Sequence, residues 1–196
     1  TLKEKMDISA LRITMYYGSS EPLSHDPVTI YSYDRPETPY DDRFVVVHLT
    51  DGSSADETDL TGDTNHNGYI DLYCNNYSGS LWNTDGVVAI DTDDNPDNGG
   101  IIDFAAYSNR DGTPNETIDS IVIKAQKAGH WPSCATGNIQ ECMIDIGTGG
   151  LSAYTSISRN ASDDTNSPGD FFVTKYQTPG KDNIISNPDS SRKIFN

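Results

Sequence analysis

An all-β fold, a sandwich or barrel of short strands carrying one helix, is the class this sequence predicts. Three observations point to it. Short runs rich in Val, Ile, Tyr and Phe recur along the chain, clusters of Asp, Asn, Gly, Pro and Ser separate them, and a single segment switches to helical spacing. At 196 residues the chain is long enough to bury a full core. The expected organisation is one domain over 1–183, opened by a charged lead-in at 1–10 and followed by a flexible tail at 184–196.

Leu11 to Tyr17 alternates apolar and polar positions and ends at Gly18, as a half-buried strand does. Val28 to Tyr33 repeats the pattern. Phe44 to Leu49 is continuous and β-branched, which suits a central strand covered on both faces, and the proline-bearing acidic stretch between Arg35 and Arg43 reads as a surface loop. Ile70, Leu72 and Tyr73 begin another strand. Gly86–Ile90 and Ile101–Tyr107 follow, joined by the acidic hairpin loop Asp91–Gly100, and Leu151–Ser158 and Phe171–Val173 are the last strands expected.

From Thr117 to Ala128 the apolar residues Ile118, Ile121, Val122, Ala125 and Ala128 recur at three- and four-residue steps, which predicts one amphipathic helix. Asn115 or Thr117 is placed to cap its start and Gly129 to end it. Trp131, just beyond, reads as a core plug.

Acidic residues outnumber basic ones 30 to 13, giving a net charge of −17 and a pI near 4.3. Nucleic-acid binding needs a basic footprint on the phosphates, and this chain carries the opposite sign. No apolar run approaches the roughly 20 residues that cross a bilayer. The carboxylates either keep the chain soluble or hold cations. The chain opens on Thr1 rather than Met, as a mature or trimmed fragment does. Three cysteines occur, of which Cys134 and Cys142 bracket a loop that one disulfide closes, leaving Cys74 unpaired; three reduced thiols are the alternative. Formal glycosylation sequons at Asn76, Asn115 and Asn160 are expected by chance in so Asn- and Ser-rich a chain.

The most ordered polar pattern is Asp63-Thr64-Asn65-His66-Asn67-Gly68-Tyr69-Ile70-Asp71. Oxygen-bearing side chains stand at every second position before a glycine that permits a sharp bend, as in a calcium loop. Asp63, Asn65 and Asn67 take loop positions one, three and five, Tyr69 offers its carbonyl at seven, and Asp71 falls at nine. Position twelve is Cys74 instead of a bidentate glutamate, so Asp56, Glu57 and Asp59 from the preceding acidic loop are the candidates to complete the shell. The same letters also write a metal-free turn, because Asp and Asn bond their own backbone. A transition-metal pairing of His66 with Cys74 is a further, less specified option.

Gly86-Val87-Val88-Ala89-Ile90 followed by Ile102-Asp103-Phe104-Ala105-Ala106-Tyr107 resembles the strand pair of bacterial lamin-tail domains. Gly129-His130-Trp131, Ser156-Ile157-Ser158-Arg159, Asp164-Thr165-Asn166-Ser167, Asp170-Phe171 and Thr178-Pro179-Gly180-Lys181-Asp182-Asn183 extend that resemblance over about residues 86–183. The resemblance implies an immunoglobulin-like β-sandwich, extracytoplasmic and non-catalytic, here with acidic loop insertions. It brings no catalytic residues.

His25, His48, His66 and His130 are scattered and form no zinc motif, and no nucleophile elbow or phosphate-cradling glycine loop occurs. The expected function is therefore a calcium-stabilised binding or adhesion module at a bacterial cell surface, outside the cell or in the periplasm, with a protein or carbohydrate ligand and no nucleic acid or membrane insertion. The alternative is a metal-dependent hydrolase acting on carbohydrate or phosphate ester through its carboxylates.

Overall fold

The computed structural model describes residues 12–17, 28–32, 44–49, 66–73, 80–92, 99–160 and 164–183. Nine strands and one α-helix are described: β1 Arg12–Tyr16, β2 Val28–Ser32, β3 Phe44–His48, β4 Tyr69–Tyr73, β5 Asp85–Asp91, β6 Ile101–Ser108, α1 Glu116–Ala128, β7 Ile144–Asp145, β8 Ser156–Arg159 and β9 Phe171–Thr174. The lead-in at 1–10, the Arg35–Arg43 and Asp51–Gly62 loops and the tail at 184–196 lie outside the described residues.

The immunoglobulin-like β-sandwich is corrected to a mixed α/β architecture. Five strands form one sheet in the order β2-β1-β5-β6-β7; its neighbours are antiparallel except β6 and β7, which run parallel. β3 and β4 form a separate parallel pair, and β8 and β9 a separate antiparallel one. Parallel neighbours need a crossover instead of a tight hairpin. Between β6 and β7 that crossover contains α1, which makes the helix a structural layer of the fold.

The helix packs over the central strands because its apolar stripe is continuous. Ile118, Ile121, Val122 and Ala125 are buried against Tyr16, Val87, Ala89, Phe104 and Ala106 from β1, β5 and β6. The Asn115 side chain accepts from the Ile118 N–H at 3.1 Å at the start. Gly129 ends the helix in the left-handed region, φ 81°, while the His130 N–H returns to the Ala125 carbonyl at 2.9 Å. Trp131 is the expected plug: it is 3% exposed, meets Phe104 edge-on at 5.4 Å, and donates its indole N–H to the Cys142 carbonyl at 2.8 Å. Ile157 and Phe171, from β8 and β9, close the same core.

β1 serves two cores because its side chains alternate. Tyr16 joins the helix-covered core, whereas Met15 faces the other way and gathers Ile13, Tyr17, Val47 and Leu49. The expectation that Phe44–Leu49 is a central strand is also corrected. It pairs only with β4 among the described residues, and Phe44 and Val45 stand exposed. Its continuous β-branched run reflects strand propensity more than burial on two faces. The Leu151–Ser158 run shortens to Ser156–Arg159 because Leu151–Thr155 forms turns, where the Thr155 N–H bonds the Ser152 carbonyl at 3.0 Å.

Candidate functional site

The described part of the 63–71 loop, residues 66–71, is a tight polar turn entering β4. His66 and Gly68 both have positive φ, 60° and 97°, which takes the chain round the bend. The Asn67 side-chain oxygen accepts from the Tyr69 N–H at 3.1 Å. Its amide nitrogen donates to Asp71 Oδ2 at 2.8 Å. The other Asp71 oxygen receives His48 Nε2 at 2.5 Å.

The parallel register of β3 and β4 creates that last contact, setting Val46 beside Asp71 and His48 beside Tyr73. The imidazole also stacks on Tyr73, with ring centroids 4.7 Å apart. Asp71 is thereby buried at 3% exposure and its carboxylate is ringed by donors. Tyr69 packs its ring against Gly180, where φ is 66° and any side chain would overlap the aromatic atoms. The resemblance-bearing Thr178–Asn183 turn thus docks on the start of β4.

Asn67, Tyr69 and Asp71, three of the predicted calcium ligands, are therefore brought together. Their donor chemistry, amide, carbonyl and carboxylate oxygen, suits a hard cation. The side-chain oxygens of Asn67 and Asp71 already engage protein donors, as in a hydrogen-bonded Asx turn, so calcium would compete with Asn67 and His48 for Asp71. Asp63, Asn65, Asp59 and Glu57 lie outside the described residues, as does Cys74. Among the described residues no group of three or more His, Cys, Asp and Glu side chains is arranged to hold a metal.

Cys134 and Cys142 are joined in a disulfide, with Cα atoms 5.4 Å apart. Gln126 of α1 ties down the entry to the loop they close: its amide donates to the Pro132 carbonyl at 2.9 Å and to Cys134 Sγ at 3.3 Å. A second surface feature lies before β5. Trp82 is 41% exposed and stacks on Tyr17 at 5.6 Å with the ring planes 24° apart. Its carbonyl is anchored by the Tyr107 hydroxyl at 2.6 Å, and Leu81 beside it is also exposed.

Sequence reasoning passed over one further polar pair. Asp85 opens β5 and is 6% exposed; Asp119 lies in the first turn of α1. Burial pushes the Asp85 carboxyl above the ordinary aspartate range; a Ser108 hydrogen bond opposes this and the negative charge of Asp111 adds to it. Burial likewise raises Asp119, reinforced by the charges of Asp85 and Glu116. One signal was legible. Asp85 heads a buried-type run, Gly86-Val87-Val88-Ala89-Ile90, while Asp119 directly follows Ile118 on the border of the apolar stripe. That the charge of one acts on the other depends on how α1 lies on the sheet.

Compared with known proteins, the chain matches no family model, no curated protein and no solved structure. Among the described residues no helix is long and apolar enough to cross a membrane.

Proposed function

We propose that this chain is a non-catalytic, calcium-stabilised extracytoplasmic module of lamin-tail type that binds a protein or carbohydrate ligand. The observation that carries the binding role is the Tyr17–Trp82 stack. A large aromatic surface is held outside the core by a main-chain anchor to buried Tyr107. Aromatic faces with restricted motion give contact area at low entropic cost and suit sugar rings or protein side chains. The Cys134–Cys142 disulfide supports an oxidising compartment, and the net charge of −17 disfavours nucleic acid.

Local packing joins the segments that carry the lamin-tail resemblance. Arg159 reaches Asp103 at 2.5 Å and its guanidinium lies 4.7 Å from the centre of the Phe171 ring. Asn183 donates to the Arg159 carbonyl at 2.7 Å. The quoted segments therefore form one packed unit, although the sandwich that the resemblance implied is replaced by a helix-covered sheet.

The test is binding of the wild-type chain and Trp82→Ala to a panel of cell-surface glycans and purified surface proteins. The expected result is a ligand whose affinity drops at least tenfold in the variant; equal binding by both chains across the panel would sink the reading. A second reading, a hydrolase of carbohydrate or phosphate ester, is favoured by the His48–Asp71 pair, in which a buried carboxylate orients an imidazole. It requires turnover of generic glycosides or phosphate esters that His48→Ala abolishes.

A further inference from the structure

We infer that the Tyr17–Trp82 stack and the 151–155 turn form one binding site for an uncharged oligosaccharide, with Trp82 and Tyr154 as its aromatic contacts, a ligand class that rests on the binding role proposed above and narrows it. Main chain joins the two segments. The Leu151 N–H donates to the Asn83 carbonyl at 2.8 Å, and the approach there is so close that a side chain on Gly150, where φ is 68°, would overlap the same carbonyl. Trp82 directly precedes this seam on one segment, and Tyr154 follows it within the next turn on the other. Tyr154 is 80% exposed. A single exposed aromatic needs no explanation; two on joined segments make a composite surface.

Both segments are held before any ligand arrives. Three consecutive carbonyls of the first are engaged: Trp82 by the Tyr107 hydroxyl at 2.6 Å, Asn83 by Leu151, and Thr84 by the Asn109 N–H at 2.9 Å. In the second, the Ser152 N–H donates to the Thr155 hydroxyl at 2.8 Å, the Gln177 amide donates to the Ala153 carbonyl at 3.3 Å, and Leu151 packs against the helix-covered core. Loops ordered in advance lose less conformational entropy on binding.

Charge selects the ligand class. In a chain of which 22% of the residues are charged, with a net charge of −17, neither 80–84 nor 147–155 contains a charged residue. Aromatic rings, hydroxyls and an amide stand there instead, and Asn83 and Ser152 are exposed. A pyranose offers the complement: an apolar face of C–H groups that lies on an aromatic ring, and hydroxyls that both donate and accept. A basic protein would be drawn to carboxylates that these segments lack, and an anionic glycan would be repelled by the chain as a whole. An uncharged glycan meets neither difficulty. Two rings on joined segments favour a ligand longer than one sugar, because a chain of sugars reaches both.

The test is calorimetric and fluorescence titration of the full chain, as wild type, Tyr154→Ala and Trp82→Ala, with neutral glucose and N-acetylglucosamine oligomers from single sugars to hexasaccharides, and with oligogalacturonate as the anionic comparison. Trp131 is buried, so a ligand-induced fluorescence change that disappears in Trp82→Phe reports Trp82. The expected result is neutral-oligomer binding that tightens with chain length and weakens by about tenfold or more in each alanine variant, while Tyr154→Ala melts with wild type. Unchanged binding in Tyr154→Ala overturns the two-segment site and leaves the Trp82 reading standing. A Trp82-dependent ligand that proves to be an anionic glycan or a protein overturns the ligand class alone. Failure of every neutral oligomer to bind overturns this site, and the binding role then stands or falls with the surface-protein panel.

Discussion

Asp170 and Asp85 are both buried, 3% and 6% exposed, yet their surroundings are opposite. Burial alone would raise the Asp170 carboxyl. Hydrogen bonds from the Thr165 hydroxyl at 2.6 Å, the Thr165 N–H at 2.7 Å and the Ser167 N–H at 3.2 Å, with the charge of Arg159, outweigh it and hold the carboxyl below the ordinary range. Asp85 has a Ser108 contact and otherwise faces negative charge, so burial wins and the carboxyl is raised. The same side chain is thus a structural staple in one place and an uncompensated charge in the other. Donors and counter-charge make the difference, because burial is similar in both.

Substituting each member sharpens that contrast, and the largest effect is expected at Asp170. Asp170→Ala leaves the Thr165 and Ser167 amides without their acceptor, and a loss of about 2–4 kcal/mol is expected, read as a lower midpoint in urea unfolding. A variant as stable as wild type would show that the turn is held by packing alone.

Arg159→Met comes next. It removes the partner of Asp103 and the charge near Asp170 but keeps much of the contact with Phe171. Because Asp103 is partly exposed, with side-chain exposure of 25%, the expected cost is about 1–2 kcal/mol, measured in the same unfolding series. Little or no loss would mean that solvent already screens the pair.

Asp85→Asn is expected to act in the opposite direction. In EDTA at neutral pH it replaces an uncompensated buried charge by a neutral amide, for a gain of roughly 1 kcal/mol, or a melting temperature about 2–4 °C higher. A fall in melting temperature would show that the Ser108 hydrogen bond outweighs the cost of burying the charge.

The smallest effect expected is a pH shift. Asp170 has a depressed folded-state carboxyl, so its stabilisation is present above the ordinary aspartate value of about 3.9 and disappears as pH falls through the lower folded value. Acid unfolding of Asp170→Asn is therefore expected to depend less steeply on pH below about 4 than that of wild type. Parallel acid profiles would remove the link between Asp170 and acid stability.

Local features were legible wherever adjacent residues make the decision. The stripe Ile118, Ile121, Val122, Ala125 specifies a helix, Asn115 and Gly129 bound it, and Trp131 is buried as expected. β7 was missed because Ile144–Asp145 is two residues long and exists only through its parallel pairing with Tyr107 and Ser108. In the candidate calcium loop, the alternation ending in Asn67, Tyr69 and Asp71 was visible in the chain. The engagement of Asp71 by His48 was not, because those residues are far apart in sequence and meet only through the β3–β4 register.

The sequence by itself determined the helix, its caps and most of the strand segments, the acidic balance and the proximity of Cys134 to Cys142, since each follows from neighbouring residues or from composition. The tertiary structure decided that the helix forms a layer over a mixed sheet, that β3 lies apart with two exposed residues, and that the buried Asp85 carboxyl adds its charge to that of Asp119. The physical reason is the range of the forces. Turn chemistry and helical periodicity act over a few residues, whereas strand order and the burial of a charge depend on which distant segments exclude water together.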